Sequence, residues 1–184
     1  MTTEYLLNQE LERVLCALTP TNRLVCEVML QTGLRVSDVL NLRTEGLKPV
    51  MWVTEKKTSK RRQIGFTNAL YSRMMEQAGE VYVFPHRTDP TRPRSRQTVW
   101  ADVDRAARAF RMPQNIGTHS MRKVYAVHLL EKYGDIERVQ RALKHGSMYV
   151  TMLYATADKL LAAKMKEKAI AAQRRRNKAK GGRA

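Results

Sequence analysis

Apolar residues recur every third or fourth position along most of this chain, and that spacing builds helices rather than sheets. Leu7, Leu11, Val14, Leu15 and Leu18 predict a first helix over about residues 7–18. Pro20 is expected to stop it, with Thr21 or Asn22 capping the next. The second helix buries Val25, Cys26, Met29 and Leu30 and ends at Gly33. Ser37 is the expected cap of a short third helix, Asp38 to Arg43. The period then switches to two. Residues 50–54 (VMWVT) and about 62–66 (RQIGF) read as strands flanking a basic turn, Glu55 to Arg61. Helices resume at 67–78 and about 96–110, separated by a short apolar piece, Val81–Phe84, and a loop, Pro85–Arg94. A helix from His119 to about Tyr133 carries Met121, Val124, Tyr125, His128 and Leu129 as its apolar stripe, and Gly134 ends it. Another carries Ile136, Val139 and Leu143 up to Gly146, and a short one presents Met152, Leu153 and Tyr154. No internal repeat is visible. The pattern predicts an α+β fold, mostly helical, with one small antiparallel β-hairpin.

Charge sets the partner. The 184 residues carry 34 Lys+Arg against 17 Asp+Glu, a net +17. With 43% apolar residues, most of the chain is expected to fold. A pI near 10.3 points to a polyanion, nucleic acid ahead of anionic lipid. Residues 161–184 hold nine Lys/Arg and one Glu, a net +8. The stretch Gln173–Arg183 has no apolar face, so residues 161–184 read as a partly disordered basic tail behind a folded domain of residues 1–160. It serves either as a solubilising tail or as a phosphate-binding arm, with Arg174, Arg175 and Arg176 as candidate contacts. No run of 18 apolar residues exists, and the N-terminus lacks the layout of a signal peptide. Cys16 and Cys26 read as reduced core residues, hence a cytoplasmic setting. Two cysteines and four scattered histidines give no zinc-site spacing, and no metal or cofactor is expected.

Polar residues at element ends supply a chemistry. His119 and Arg122, three apart, share a helix face. Arg35 lies in a turn, Lys57 on the hairpin tip, His145 at a helix end, and Tyr154 beyond it. Two arginines can grip the non-bridging oxygens of one phosphodiester. A histidine can relay a proton near neutral pH, a lysine can protonate a leaving oxygen, and a tyrosine hydroxyl can attack phosphorus. Each residue also has a plain reading: Arg35 a surface arginine or cap, Lys57 a solvated turn lysine, most of the seven tyrosines packing residues. His128 reads as a packed core histidine and His86 as an exposed loop residue. Spacing alone does not choose Tyr154 over Tyr149.

Order and spacing together resemble the catalytic domain of the tyrosine recombinases, the phage-integrase family. Thr32–Arg43 (TGLRVSDVLNLR) resembles the first-arginine block, with Arg35 and the acidic Asp38 after it. Lys56–Arg62 (KKTSKRR) resembles the β-hairpin lysine block, in which the lysine before the threonine is catalytic, here Lys57. Thr118–Lys123 (THSMRK) resembles the H-x-x-R block, giving His119 and Arg122. Leu143–Ser147 (LKHGS) followed by Thr151–Tyr154 (TMLY) resembles the last histidine and the nucleophile, with the family's usual nine-residue gap from His145 to Tyr154. The resemblance as a whole runs from about residue 7 to 160. Lys123 and Lys144 stand where many members have histidine and glycine. The N-terminal helical core-binding domain of most members has no counterpart here, so the chain reads as a one-domain recombinase, like the fimbrial phase-switch members, or as a catalytic fragment.

The resemblance implies a site-specific recombinase or integrase acting without metal or ATP. Tyr154 would attack the scissile phosphate to give a 3′-phosphotyrosine. Arg35 and Arg122 would stabilise its oxygens, with His119 taking the tyrosine proton, His145 bonding the phosphate and Lys57 protonating the 5′ oxygen. The implied partners are double-stranded recombination sites, bound by a homotetramer that forms and resolves a Holliday junction, in the cytoplasm of a bacterium, on a phage or another mobile element. Lys56, Lys60, Arg61, Arg94 and Arg96 are further candidate DNA contacts, as are Arg87 and Arg92. The rival readings are a type IB topoisomerase-like nicking-closing enzyme and a non-catalytic DNA-binding relative.

Overall fold

The computed structural model describes residues 6, 8–57, 59–112 and 115–143, all within one compact unit. In chain order the elements are α1 (Asn8–Ala17), α2 (Pro20–Thr32), α3 (Val36–Leu40), β1 (Val50–Thr54), β2 (Arg61–Gly65), α4 (Asn68–Gln77), α5 (Arg96–Ala109), α6 (Thr118–Tyr133) and α7 (Ile136–Leu143). The two strands form one antiparallel hairpin, with Val50 opposite Gly65 and Thr54 opposite Arg61. This is the mostly helical α+β architecture that the apolar periodicity predicts. The proposed helix around Met152–Tyr154, Gly146 and the basic tail lie outside the described residues, as does Leu7.

Helix α2 is the hub. It packs against α1, α3, α4, α5 and α6. Its Val25, Cys26 and Val28 have no exposed surface and Met29 almost none, and they meet Val14 from α1, Val99, Val103 and Ala106 from α5, and Met121 and Val124 from α6. Burying side chains of this size is worth about 1.5–3 kcal/mol each relative to water. Thr67 and Ser95 cap α4 and α5 by accepting from the Leu70 and Thr98 amides. Gly33 ends α2 in the left-handed region, φ 65°, and donates its amide to Met29. A Cβ there would run into the Tyr125 ring, so both dihedral and space demand glycine. The Val81–Phe84 piece runs beside Leu42–Thr44, where Val83 donates to the Leu42 carbonyl and Thr44 to that of Val81.

Several expectations need correction. Pro20 begins α2 instead of merely stopping α1; its missing N–H is no loss in a first turn. Arg35, not Ser37, occupies the N-cap position of α3, with extended backbone. Cys16 is exposed, and only Cys26 is buried, where loss of solvation pushes its thiol up to about 12. His128 is exposed rather than packed, because α6 turns Met121, Val124, Ala126 and Val127 inward instead. His86 is half-buried, its Nδ1 accepting from the Thr88 amide.

The junction of α1, α2 and α5 is polar. Asp102 accepts from the Thr19 amide and hydroxyl, from Asn22 Nδ2 at 2.7 Å and from Arg105. Burial opposes its charge, but these donors outweigh burial and hold the carboxyl down at about 2. Asp102→Ala leaves buried Asn22 without its acceptor. It is expected to cost about 3 kcal/mol, lowering the thermal midpoint by roughly 10 °C at neutral pH. A carboxyl depressed in the fold stabilises above its unfolded pKa and stops doing so as pH falls through the folded one. The gap between wild type and Asp102→Asn is therefore expected to narrow as pH drops from 3.8 toward about 2, followed by calorimetry.

Candidate active site

Three segments meet at one locus: the α2–α3 turn bearing Arg35, the hairpin turn bearing Lys57, and the N-terminal end of α6 bearing His119 in its first turn and Arg122 in its second. Each arrives by local rules. Gly33 lets the chain leave α2 and reach Arg35 within two residues. The Glu55 amide bonds the Lys60 carbonyl, and the Ser59 amide bonds that of Glu55, closing a turn that leaves Lys56, Lys57 and Lys60 exposed. Ser120 fixes the start of α6, its hydroxyl accepting from the Gly117 amide and its own amide donating to the Gly117 carbonyl.

At the centre is Glu55, which has no exposed surface. Arg35 Nη1 donates to its Oε2 at 2.5 Å, Arg62 Nε stands 3.3 Å from Oε1, and Arg122 Nη1 stands 4.0 Å from the same oxygen. Burial opposes the Glu55 charge, but Arg35, Arg122 and Arg62 together hold its carboxyl below the ordinary value. The two inner arginines also reach backbone. Arg62 donates to the carbonyls of Ala142 (2.6 Å) and Thr32 (2.7 Å). Arg122 donates to those of Gly33 (2.5 Å) and Leu143 (2.8 Å). A guanidinium has five N–H donors. Arg122 Nε–H is buried and meets no acceptor among the described residues. Burial and Arg35 bring the Arg122 pKa down to about 10, against the pull of Glu55, so it stays charged at neutral pH.

His119 is half-buried among cations. Burial, then Arg122, Lys123, Arg35 and Lys57, drive its pKa down to about 4. Its place in the first turn of α6 acts in the same direction, since a helix N-terminus disfavours an imidazolium. The ring is therefore neutral at pH 7 and able to accept a proton. Asp38 completes the locus: buried in α3, it accepts the Lys56 amide at 2.9 Å and so docks the hairpin turn onto α3.

Arg35, Lys57, His119 and Arg122 are thus brought together from three separate stretches of sequence. His145 and Tyr154 lie outside the described residues, as do Arg174, Arg175 and Arg176. Among the candidate DNA contacts, Lys56, Lys60, Arg61 and Arg96 are exposed, with Arg61 stacked over the Trp52 ring at 5.5 Å. Arg87 and Arg92 are exposed as well. Arg94 is only half-exposed and spends its Nε on Asn22 Oδ1 at 2.7 Å, which ties it to the α1–α2–α5 junction. Glu55 and Arg62 are site residues that the sequence motifs do not single out. Strand alternation signals both: Glu55 lies two residues past buried Val53, and Arg62 two before buried Ile64. Among the described residues no group of His, Cys, Asp and Glu could hold a metal ion, and no helix is long and apolar enough to cross a membrane.

Residues 4–160 match the family model described as the phage integrase family. The sequence is similar to a probable integrase/recombinase, YoeC, of Bacillus subtilis, 33% identical over 136 residues that cover 70% of this chain and 74% of the relative. It is 30% identical to the integrase of Escherichia phage P2, over 83% of this chain and 43% of that protein. It is 28% identical to the tyrosine recombinase XerD of Corynebacterium glutamicum, over 76% and 50%. In fold it is similar to the XerA recombinase, with a TM-score of 0.69 at 19% identity, covering 90% of this chain and 63% of that one. It is also similar to a lambda integrase dimer bound to a COC′ core site, with a TM-score of 0.68 at 21% identity, covering 85% and 49%. The architecture is that of a tyrosine-recombinase catalytic domain. The chain belongs to the phage integrase family, and it spans about half the length of the XerD and phage relatives it matches.

The crowding of cations around His119 gives a direct test. In the DNA-free protein its ring is expected to titrate near 4, well below the ordinary 6.5. NMR titration of ring carbon resonances, assigned with His119→Gln, reads this, and a midpoint near 6.5 would contradict the arrangement.

Proposed function

We propose that the chain is the catalytic part of a site-specific DNA recombinase that cuts and rejoins strands through a 3′-phosphotyrosine. The observation that carries this reading is the convergence of Arg35 and Arg122 on buried Glu55, with the Lys57 turn docked beside them and half-buried His119 one helical turn before Arg122. A phosphodiester placed there meets fixed positive charge, which stabilises the charge that builds on its non-bridging oxygens. Arg35 and Arg122 are assigned that task. Neutral His119 accepts the proton as the Tyr154 oxygen attacks phosphorus, and the bond to the 5′ oxygen breaks. Lys57 supplies the proton that makes the departing strand a 5′-hydroxyl, and His145 bonds the phosphate. The phosphotyrosine conserves the energy of the broken bond, so a 5′-hydroxyl of a partner strand can reverse the step without ATP. The charge required at phosphorus comes from side chains, and the reaction is assigned no metal. Four protomers on two double-stranded sites would exchange strands through a Holliday junction, in the cytoplasm of a bacterial host. The phage P2 relative supports a place on a phage or mobile element. Residues to about 160 form the catalytic part and 161–184 a basic arm on DNA phosphates.

A duplex nicked beside the cleavage site lets the short 5′-hydroxyl fragment diffuse away and traps the covalent complex on a denaturing gel. Wild type and Tyr149→Phe are expected to give the adduct equally in EDTA and in magnesium. Tyr154→Phe is expected to bind DNA but give none. Activity in Tyr154→Phe and none in Tyr149→Phe would move the nucleophile. Loss of cleavage in EDTA on a rigid duplex would remove the metal-free mechanism.

Deleting residues 173–184 tests the arm. For every DNA phosphate that the arm neutralises, its removal is expected to make the slope of log K against log salt shallower by roughly one. An unchanged slope would leave the tail a solubilising role only.

A further inference from the structure

Two carboxylates cross between the lysine-bearing turn and the first-arginine turn, in opposite directions. Asp38, on α3, accepts the backbone amide of Lys56 at 2.9 Å. Glu55, at the base of the hairpin turn, accepts Arg35 Nη1 at 2.5 Å, and Arg35 is the N-cap residue of α3. Both acids are buried, Asp38 at 4% exposure and Glu55 at 0%. The backbone of Glu55 also closes the turn, through its amide to Lys60 and its carbonyl to Ser59. Lys57 is two residues further on, exposed, with no hydrogen bond among the described residues that would fix its side chain. The placement of Lys57 is therefore inherited from the backbone that carries it. A hydrogen bond at Lys56 and an ion pair at Glu55 hold that backbone against α3 and its N-cap.

We propose that Glu55 is a positioning residue for Lys57: its ion pair with Arg35, paired with the Asp38–Lys56 bond, latches the lysine turn against the first-arginine turn so that the lysine ammonium reaches the departing 5′ oxygen. The proposal rests on the recombinase reading given above, in which Lys57 protonates that oxygen. Glu55 touches neither substrate nor the reacting atoms. Removing its charge releases the hairpin, while Arg62 and Arg122 keep their four carbonyl partners and Arg35 gains an N–H to offer a phosphate, so DNA binding is not weakened. A displacement of about 1 Å in a catalytic group can cost about 10²-fold in rate.

The test compares two DNA substrates, one normal and one with sulfur at the 5′-bridging position of the scissile phosphate. A thiolate leaves without a proton, so a defect confined to proton donation disappears on the sulfur substrate. Single-turnover cleavage and DNA affinity are measured for wild type, Lys57→Ala, Arg35→Ala, Glu55→Gln and Asp38→Ala, each checked for folding by calorimetry. Glu55→Gln is expected to cleave normal DNA about 10²-fold slower, to cleave the sulfur substrate within about threefold of wild type, and to bind DNA at least as tightly as wild type. Asp38→Ala, which removes the acceptor of the Lys56 amide, is expected to follow the same pattern, and Arg35→Ala to remain slow on both substrates. Rescue of Lys57→Ala by sulfur without rescue of a folded Glu55→Gln would overturn the latch while leaving the role of Lys57 intact. Failure of sulfur to rescue Lys57→Ala would overturn the role of Lys57 and the latch with it. Amide hydrogen exchange on the wild-type chain gives a reading that needs no variant. The latch requires the Lys56 amide, bonded to Asp38, to exchange more slowly than the Lys57 amide beside it, and equal rates would overturn it even if both acid variants fail to fold.

Discussion

A carboxylate with no exposed surface, Glu55, faces three guanidiniums, and the rest of the site depends on it. Arg62 and Arg122 are themselves buried, so neither can discharge its positive charge into water. They do so into Glu55 and into four carbonyls: Thr32 and Gly33 at the end of α2, Ala142 and Leu143 at the end of α7. Carbonyls in the last turn of a helix carry partial negative charge, which suits a guanidinium. Each arginine bridges one carbonyl from each helix, which fixes the end of α7 against the end of α2. Breaking a buried ion pair of this kind costs about 3–5 kcal/mol, because the partner left behind has no solvent to turn to. The same interactions therefore serve the fold and the site. The guanidinium assigned to the phosphate is also a structural tie between helices.

Electrostatics of the locus follow from counting the buried and half-buried groups. Arg35, Arg62 and Arg122 contribute three positive charges, and Glu55 and Asp38 two negative ones. An excess of positive charge remains before Lys57 is considered. Anions of the protein hold the cations in place without neutralising them. A phosphodiester brings one negative charge, and a second develops on its oxygens as a nucleophile adds. A site that keeps a small positive excess favours that second charge, and its dipoles are already oriented before substrate arrives.

Much of this is legible in the sequence, and what is not has a physical reason. The helices follow from apolar spacing, and Gly33 and Gly134 end α2 and α6 with φ of 65° and 63°, as their positions predict. The hairpin follows from the switch to period two. Arg35, Lys57, His119 and Arg122 stand out as polar residues at element ends in a recognisable order. Periodicity misplaces His128 because a helical stripe is broad, and a residue on its edge can face either way. Pro20 is ambiguous because proline both ends one helix and suits the first turn of the next. Glu55 and Arg62 do not stand out because a charged residue within a basic turn looks solvated. Only strand parity, carried from Val53 and Ile64, marks them as inward-facing, and parity alone does not name the partner. The pairing of Glu55 with Arg35 spans 20 residues and that of Arg122 with Gly33 spans 89, distances over which no local rule operates.

His119 shows how such a site can respond to its substrate. Burial and four neighbouring cations keep its ring neutral down to about pH 4, so in the free protein it is a weak base. An anion placed among those cations reverses the balance. One negative charge at about 5 Å, in an effective dielectric of about 20, favours the imidazolium by about 3 kcal/mol. That is enough to carry the ring back toward the ordinary histidine range. In the proposed mechanism the basicity of His119 is thus coupled to occupation of the arginine cluster: a phosphate bound there would make the ring a competent proton acceptor. The depressed pKa and the proton-accepting role do not conflict. The cations that suppress the base in the empty site are those that bring in the anion which restores it.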